Sequence, residues 1–120
     1  MAGLRAAAAA VADGIAALQD LTLGPGDELE SPADVRDVLA SLAQAMAQMP
    51  QMLGQLAVFV EIEHVKGGVA DWPDTEAAGH VRAVSQALHR AGLDAETMAA
   101  ALGAAMQACA SLRASAPRGG

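Results

Sequence analysis

The strongest constraint on the fold is a heptad pattern that runs without a miss through residues 34–66. Apolar side chains recur at intervals of four and three residues, which places them on one stripe of an α-helix that packs against another element. A second apolar row, spaced by seven residues, widens this stripe. The first row is Val35, Leu39, Leu42, Met46, Met49, Leu53, Leu56 and Val60, and the second is Val38, Ala45, Met52 and Phe59. The pattern predicts a long central helix over about residues 33–66.

Both ends of this helix carry recognisable boundary residues. Ser31 is a favourable N-cap, and Pro32 follows at a position where its missing N–H is not needed. Asp34 can meet the free amides and the positive end of the helix in its first turn. The glycine pair at 67–68 ends the pattern. Residues 67–74 are therefore predicted to form the turn into the next helix.

A second long helix is predicted over about residues 75–113, with Asp74 or Thr75 as its cap. Its apolar side chains hold the same three–four spacing as the central helix. They are Val81, Val84, Leu88, Ala91, Ala95, Met98, Leu102, Ala105, Cys109 and Leu112. The tail at residues 115–120 is expected to be flexible.

Pro50 and Gly92 each conflict with a long straight helix. A proline inside a helix removes a backbone hydrogen bond and costs about 3 kcal/mol. Because the heptad phase continues through Pro50, we expect a kink rather than a separating loop. Gly92 followed by Asp94 is typical of a helix stop and restart, so a continuous helix and two nearly collinear helices both remain open.

The N-terminal part of the chain predicts a shorter helix over about residues 2–21. Its stripe has alanine in places where the central helix has leucine or methionine, so we expect a helix that covers only part of the hairpin. The stripe is Leu4, Ala8, Val11, Ile15 and Leu18. An acidic Gly/Pro linker at residues 24–30 separates this helix from the central one.

Composition and length agree with an all-α class. Only 2% of the residues are aromatic, and strands favour aromatic and β-branched residues. At 120 residues we expect one domain, 1–120, in which the two long helices form an antiparallel hairpin. The short first helix leaves part of the hairpin uncovered. The chain is therefore predicted to be a three-helix bundle or an oligomeric bundle.

Charge and cysteine content narrow the function classes. The net charge of −7 disfavours a nucleic-acid partner. No apolar run reaches the roughly 18 residues of a membrane span. A single cysteine excludes an intrachain disulfide and agrees with a reducing, cytoplasmic location. The Ala-rich start imitates a signal peptide, but Asp13 interrupts it, so a cleaved signal peptide is not expected. Secretion without a cleaved leader stays open.

The sharpest candidate for chemistry is the segment 61–64. Glu61 and His64 have the E-x-x-H spacing that lets one helix face offer a carboxylate and an imidazole to a metal, as in ferritin-like bundles. In the predicted hairpin, His80 returns near their level. An ordinary solvated helix end is the simpler explanation, so we expect no metal, no other cofactor and no enzymatic activity.

The remaining candidate residues concern protein binding. Trp72 in the turn either caps the end of the bundle or serves as an exposed anchor. Cys109 on the apolar stripe is expected to be a buried, inert thiol. Besides Trp72, the predicted interaction residues are Leu39, Leu42, Met46, Met49, Leu53, Leu56, Val60, Leu88, Met98 and Leu102.

Two resemblances accompany this prediction. The hairpin with a turn reading Asp71-Trp72-Pro73-Asp74 resembles the WXG100-type secreted proteins in architecture, although the nearest glycines precede Trp72. The Ser-Pro-x-Asp-Val start at residue 31 and the Ala-rich last helix look like short uncharacterised helical proteins of high-GC bacteria. We expect a non-enzymatic helical interaction or assembly protein that associates with itself. The alternatives are a WXG100-like secreted hairpin and a small ferritin-like metal-binding bundle.

Overall fold

The structure of the chain is a computed structural model that describes residues 2–23, 31–67 and 77–112. It contains helix α1 at Ala2–Leu23, α2 at Pro32–Val65 and α3 at Ala77–Ala110. The predicted all-α class and the long helical hairpin are confirmed. The linker at 24–30, the caps predicted at Asp74 or Thr75, Trp72 and the tail at 115–120 lie outside the described residues.

Helix α2 begins and ends as its boundary residues predict. Pro32 is the first helical residue, and the backbone N–H of Ser31 donates to Asp34 Oδ2 at 3.2 Å. At the other end the Lys66 N–H donates to the Ile62 carbonyl at 3.0 Å. Gly67 then adopts a φ of +80°, a conformation that side chains disfavour, and its N–H donates to the His64 carbonyl.

Helices α2 and α3 pack against each other over most of their length. Each has 34 residues and is therefore about 51 Å long at 1.5 Å per residue. Among the described residues, all close helix–helix packing is between these two helices. The radius of gyration is 20.3 Å, whereas a compact chain of this length would have about 14 Å. The molecule is a long hairpin rather than a globule.

Helix α1 covers less of the hairpin than its sequence predicts. Its residues from Gly3 onward are exposed except Leu18, which is partly buried. Leu18 lies beside a shallow hollow that is also lined by Asp37, Val38, Ser41 and Leu42 near the start of α2. Leu4, Val11 and Ile15 of the α1 apolar stripe are 66%, 68% and 45% exposed, so most of the stripe does not pack on the hairpin.

Pro50 and Gly92 lie against each other in the contact between the two long helices. Helix α2 continues through Pro50, as the heptad phase predicts, and α3 continues through Gly92 without a break. Gly92 is buried, and a Cβ atom at this position would lie 3.4 Å from Pro50 Cα and 3.6 Å from Pro50 Cβ. Gly92 therefore serves helix packing, and the stop-and-restart alternative is wrong.

The side of α3 that faces α2 differs from the predicted stripe by one row. Ser85, Gly92, Ala99 and Met106 are buried or partly buried, whereas Val84, Ala91, Met98 and Ala105 are exposed. The small residues Ser85, Gly92 and Ala99 on this side let the helix axes approach closely. Within the described part of the chain, the only buried residues are Ala77, Gly92 and Ala95, and the two alanines still expose 7% of their surface. Close backbone approach has therefore outweighed the burial of larger side chains on α3.

Candidate interaction surface

Two adjacent rows of apolar side chains run along α2. One of them, which we call the facing row, lies against α3 and is partly buried; it consists of Leu39, Met46, Leu53 and Val60. The other, which we call the outer row, is shifted by three residues from the facing row, and this shift rotates it by about 60° around the helix. It consists of Val35, Leu42, Met49 and Leu56, of which Val35 and Leu56 are exposed while Leu42 and Met49 are partly buried.

Helix α3 has the same pair of rows. Val81, Leu88, Ala95 and Leu102 are buried or partly buried on the side that faces α2. Three residues after each of them comes an exposed residue, and these form the outer row Val84, Ala91, Met98 and Ala105. Met98 exposes 50% and Val84 39% of its surface. Each long helix therefore carries one row that packs inside the hairpin and a second row that is exposed on α3 and partly exposed on α2.

The two outer rows lie on the same side of the hairpin. In both helices the outer row is rotated in the same sense from the facing row, and the two helices run in opposite directions. For antiparallel right-handed helices this geometry places both outer rows on one face. We call this the open face and define it as Val35, Leu42, Met49 and Leu56 of α2 with Val84, Ala91, Met98 and Ala105 of α3.

The open face is long, uncharged and extended by further apolar side chains. From Val35 to Leu56 it spans about 32 Å along α2, and two adjacent helices make it about 20 Å wide. Met52 and Phe59 continue it around α2 and are 41% and 62% exposed. Soluble monomers rarely expose a contiguous apolar patch of this size without a function for it. The open face is therefore the candidate functional site.

The opposite side of the hairpin is more polar. It contains an open hollow of about 450 Å³ between α2 and α3. Pro50 and Gly92 contribute to its wall, as do Glu61, His89 and Glu96. The hydroxyl of Ser85 donates a hydrogen bond to the Glu61 carboxylate across the helices. This contact joins α2 to α3 near the turn and engages the residue that the sequence suggests as a metal ligand.

The other two metal candidates do not join Glu61 in a shared site. His64 is partly buried, and its Nδ1 atom is enclosed without a hydrogen-bond partner. His80 is exposed and takes part in an interaction of its own. In the described ranges no three His, Cys, Asp or Glu side chains form a group that could hold a metal ion. Glu61 and His64 therefore lie on α2 at the E-x-x-H spacing, and the described residues around them do not complete a set of metal ligands.

The structure divides the predicted interaction residues between packing and exposure. Leu56 and Met98 are exposed on the open face, and Leu42 and Met49 of the same face are partly buried. Cys109 is a free, partly buried thiol. Those that lie partly buried between α2 and α3 are Leu39, Met46, Leu53, Val60, Leu88 and Leu102.

Four open-face residues are absent from the predicted interaction set although their signal is present in the sequence. Val84, Ala91 and Ala105 belong to the same seven-residue series as Met98, and Val35 belongs to the same series as Leu42. A heptad with apolar residues at four of seven positions predicts an apolar sector broader than the narrow seam of a two-helix contact. The sequence pattern therefore contained two rows, which the single-stripe interpretation merged.

Helix α1 departs from the expectation that no apolar run of the chain is long enough for a membrane span. Gly3–Leu23 is long and apolar enough to cross a membrane, with a mean hydropathy of 1.3, and none of it is buried. A core helix and a signal sequence satisfy the same criterion. The property describes length and composition, and it leaves the location of the protein undecided.

Comparison with known proteins gives no match. No family model matches the chain, and no curated protein and no solved structure is significantly similar to it. The function is therefore argued from the surface of the hairpin itself.

Proposed function

We propose that this is a non-enzymatic helical protein that associates with copies of itself and acts through that assembly. The observation that carries the proposal is the open face, an apolar surface two helices wide of which Leu42 and Met49 are partly buried and the other six residues are exposed. Exposed leucine, methionine and valine side chains on such a face gain free energy when another protein surface covers them, roughly 25 cal/mol per Å² of apolar area removed from water.

The chemistry of the chain supports a protein partner over the other classes. A net charge of −7 repels nucleic acids, so their phosphate backbones are a poor match. The open face has no charged residue of its own, and complementary charges therefore contribute little to recognition there. We place the protein in the cytoplasm, where its single free thiol stays reduced.

Light scattering after size exclusion, over a range of loading concentrations, tests the proposal directly. We expect a particle whose mass is a multiple of the 12.0 kDa chain, with the larger species increasing at higher concentration. A chain that elutes with the mass of a monomer at every concentration would contradict self-association.

A further inference from the structure

We propose that the open face of one chain is covered by the open face of a second copy, so that two hairpins form a four-helix bundle. The inference rests on the proposed self-association and adds the surface through which it occurs. Three observations on the hairpin carry it: the width of the face, its area, and the unequal size of the side chains in its two rows.

The width of the open face matches a second hairpin better than a single helix. Helix α1 is the other apolar segment of the chain, and a helix about 10 Å in diameter could lie in the groove between α2 and α3. There it would cover Leu56 and Val84 but leave Met52 and Phe59 exposed on the flank of α2. A partner that is itself two helices wide covers the rows and the flank together.

The area of the face is close to what a stable dimer needs. Its length of about 32 Å and width of about 20 Å give a footprint of roughly 640 Å² per chain. Specific interfaces bury about 800 Å² per partner. The contribution of Phe59, which projects beyond this footprint and is 62% exposed, brings the two values closer.

The two rows of the face differ in size, and this makes the face complementary to itself. The α2 row has a large side chain at each of its four positions and forms a ridge. The α3 row alternates Val84 and Met98 with alanine at 91 and 105, and the recesses at these two alanines make it the lower row, which we call the furrow. A two-fold axis along the hairpin places the ridge of each copy over the furrow of the other. Large side chains then oppose small ones, as interdigitated helix packing requires.

Matched pairs of charged substitutions test which surface associates. Leu56→Glu with Met98→Glu places two carboxylates on the open face, at positions that are exposed in the hairpin. Val11→Glu with Ile15→Glu makes the same chemical change at exposed positions of α1. We expect the open-face variant to weaken the dimer at least 100-fold and to elute as a monomer, while the α1 variant keeps the dimer. Circular dichroism checks that both variants remain helical.

The outcomes separate this inference from the proposed function. A wild-type chain that is monomeric contradicts both. A wild-type oligomer that survives Leu56→Glu with Met98→Glu in a helical chain contradicts only the open face as the interface. Loss of the dimer in the α1 variant also overturns the inference, because it would make α1 the occupant of the interface.

Ala91→Leu tests the furrow without introducing a charge. Ala91 is exposed in the hairpin, so a larger side chain does not disturb the packing of α2 against α3. If the ridge of a second copy fills the furrow, the added atoms overpack the interface and weaken the dimer about tenfold. A dimer that is equally strong or stronger, measured by sedimentation at several concentrations, would contradict the ridge-and-furrow arrangement.

Discussion

Neighbouring leucines on α2 are expected to contribute to different equilibria. Leu53 is partly buried between α2 and α3, whereas Leu56 is 41% exposed on the open face. Leu53→Ala should lower the free energy of unfolding of the isolated chain by about 2 kcal/mol, near the low end for leucine-to-alanine changes in a core. Leu56→Ala should change it by less than about 0.5 kcal/mol. Urea unfolding at concentrations where the chain is monomeric measures both, and equal losses would contradict this division.

Gly92 is expected to respond in opposite directions to a small and a large substitution. A methyl group at this position would meet Pro50 at ordinary van der Waals distances, 3.4 and 3.6 Å. Gly92→Ala should therefore gain up to about 1 kcal/mol of helix propensity. In Gly92→Leu the atoms beyond Cβ have to pass Pro50 to reach the hollow beside it, and this should destabilise the chain by about 1–3 kcal/mol. Thermal unfolding of the two variants measures the sign, and a stabilising leucine would show that the helices are farther apart here.

At the scale of elements, the sequence predicted where each helix begins and ends far better than which side of each helix another helix covers. Ser31, Pro32 and Gly67 mark the ends of α2 by local chemistry, which does not depend on the rest of the fold. The rotation of α3 depends instead on how closely Gly92 and Ala95 can approach α2. A seven-residue repeat fixes the apolar sector of a helix but not which edge of that sector a neighbour covers. The open face could therefore be identified only once the packing was known.

Helix α1 is expected to be far less stable than the hairpin. Its apolar stripe is exposed, with Val11 at 68%, and an unpacked helix of 22 residues that contains Gly3 and Gly14 is marginal in water. Its amide hydrogens should exchange at least 100-fold faster than those of residues 39–60 in α2. Hydrogen exchange followed by mass spectrometry measures this difference, and equal protection of the two segments would show that α1 packs against something.

At the scale of the whole molecule, the direction of assembly is expected to appear in solution scattering. One chain measures 73 × 27 × 19 Å. Two hairpins joined through their open faces, with the two-fold axis along their length, thicken the particle and leave its longest dimension close to 73 Å. Small-angle X-ray scattering of the dimer measures that dimension. A particle markedly longer than one chain would indicate end-to-end contact instead.

The small residues at the centre of the hairpin have a consequence for the amount of folded protein in a cell. Because Ala77, Gly92 and Ala95 are the only buried residues in the described ranges, a single chain gains little from its own core. Most of the remaining apolar surface can be buried only when two chains associate. Association would then add to the stability of a hairpin that folds by itself, and the fraction of folded chains would rise with expression level. At low abundance the chain would open more often, and it would be a better protease substrate than the same chain in its assembly.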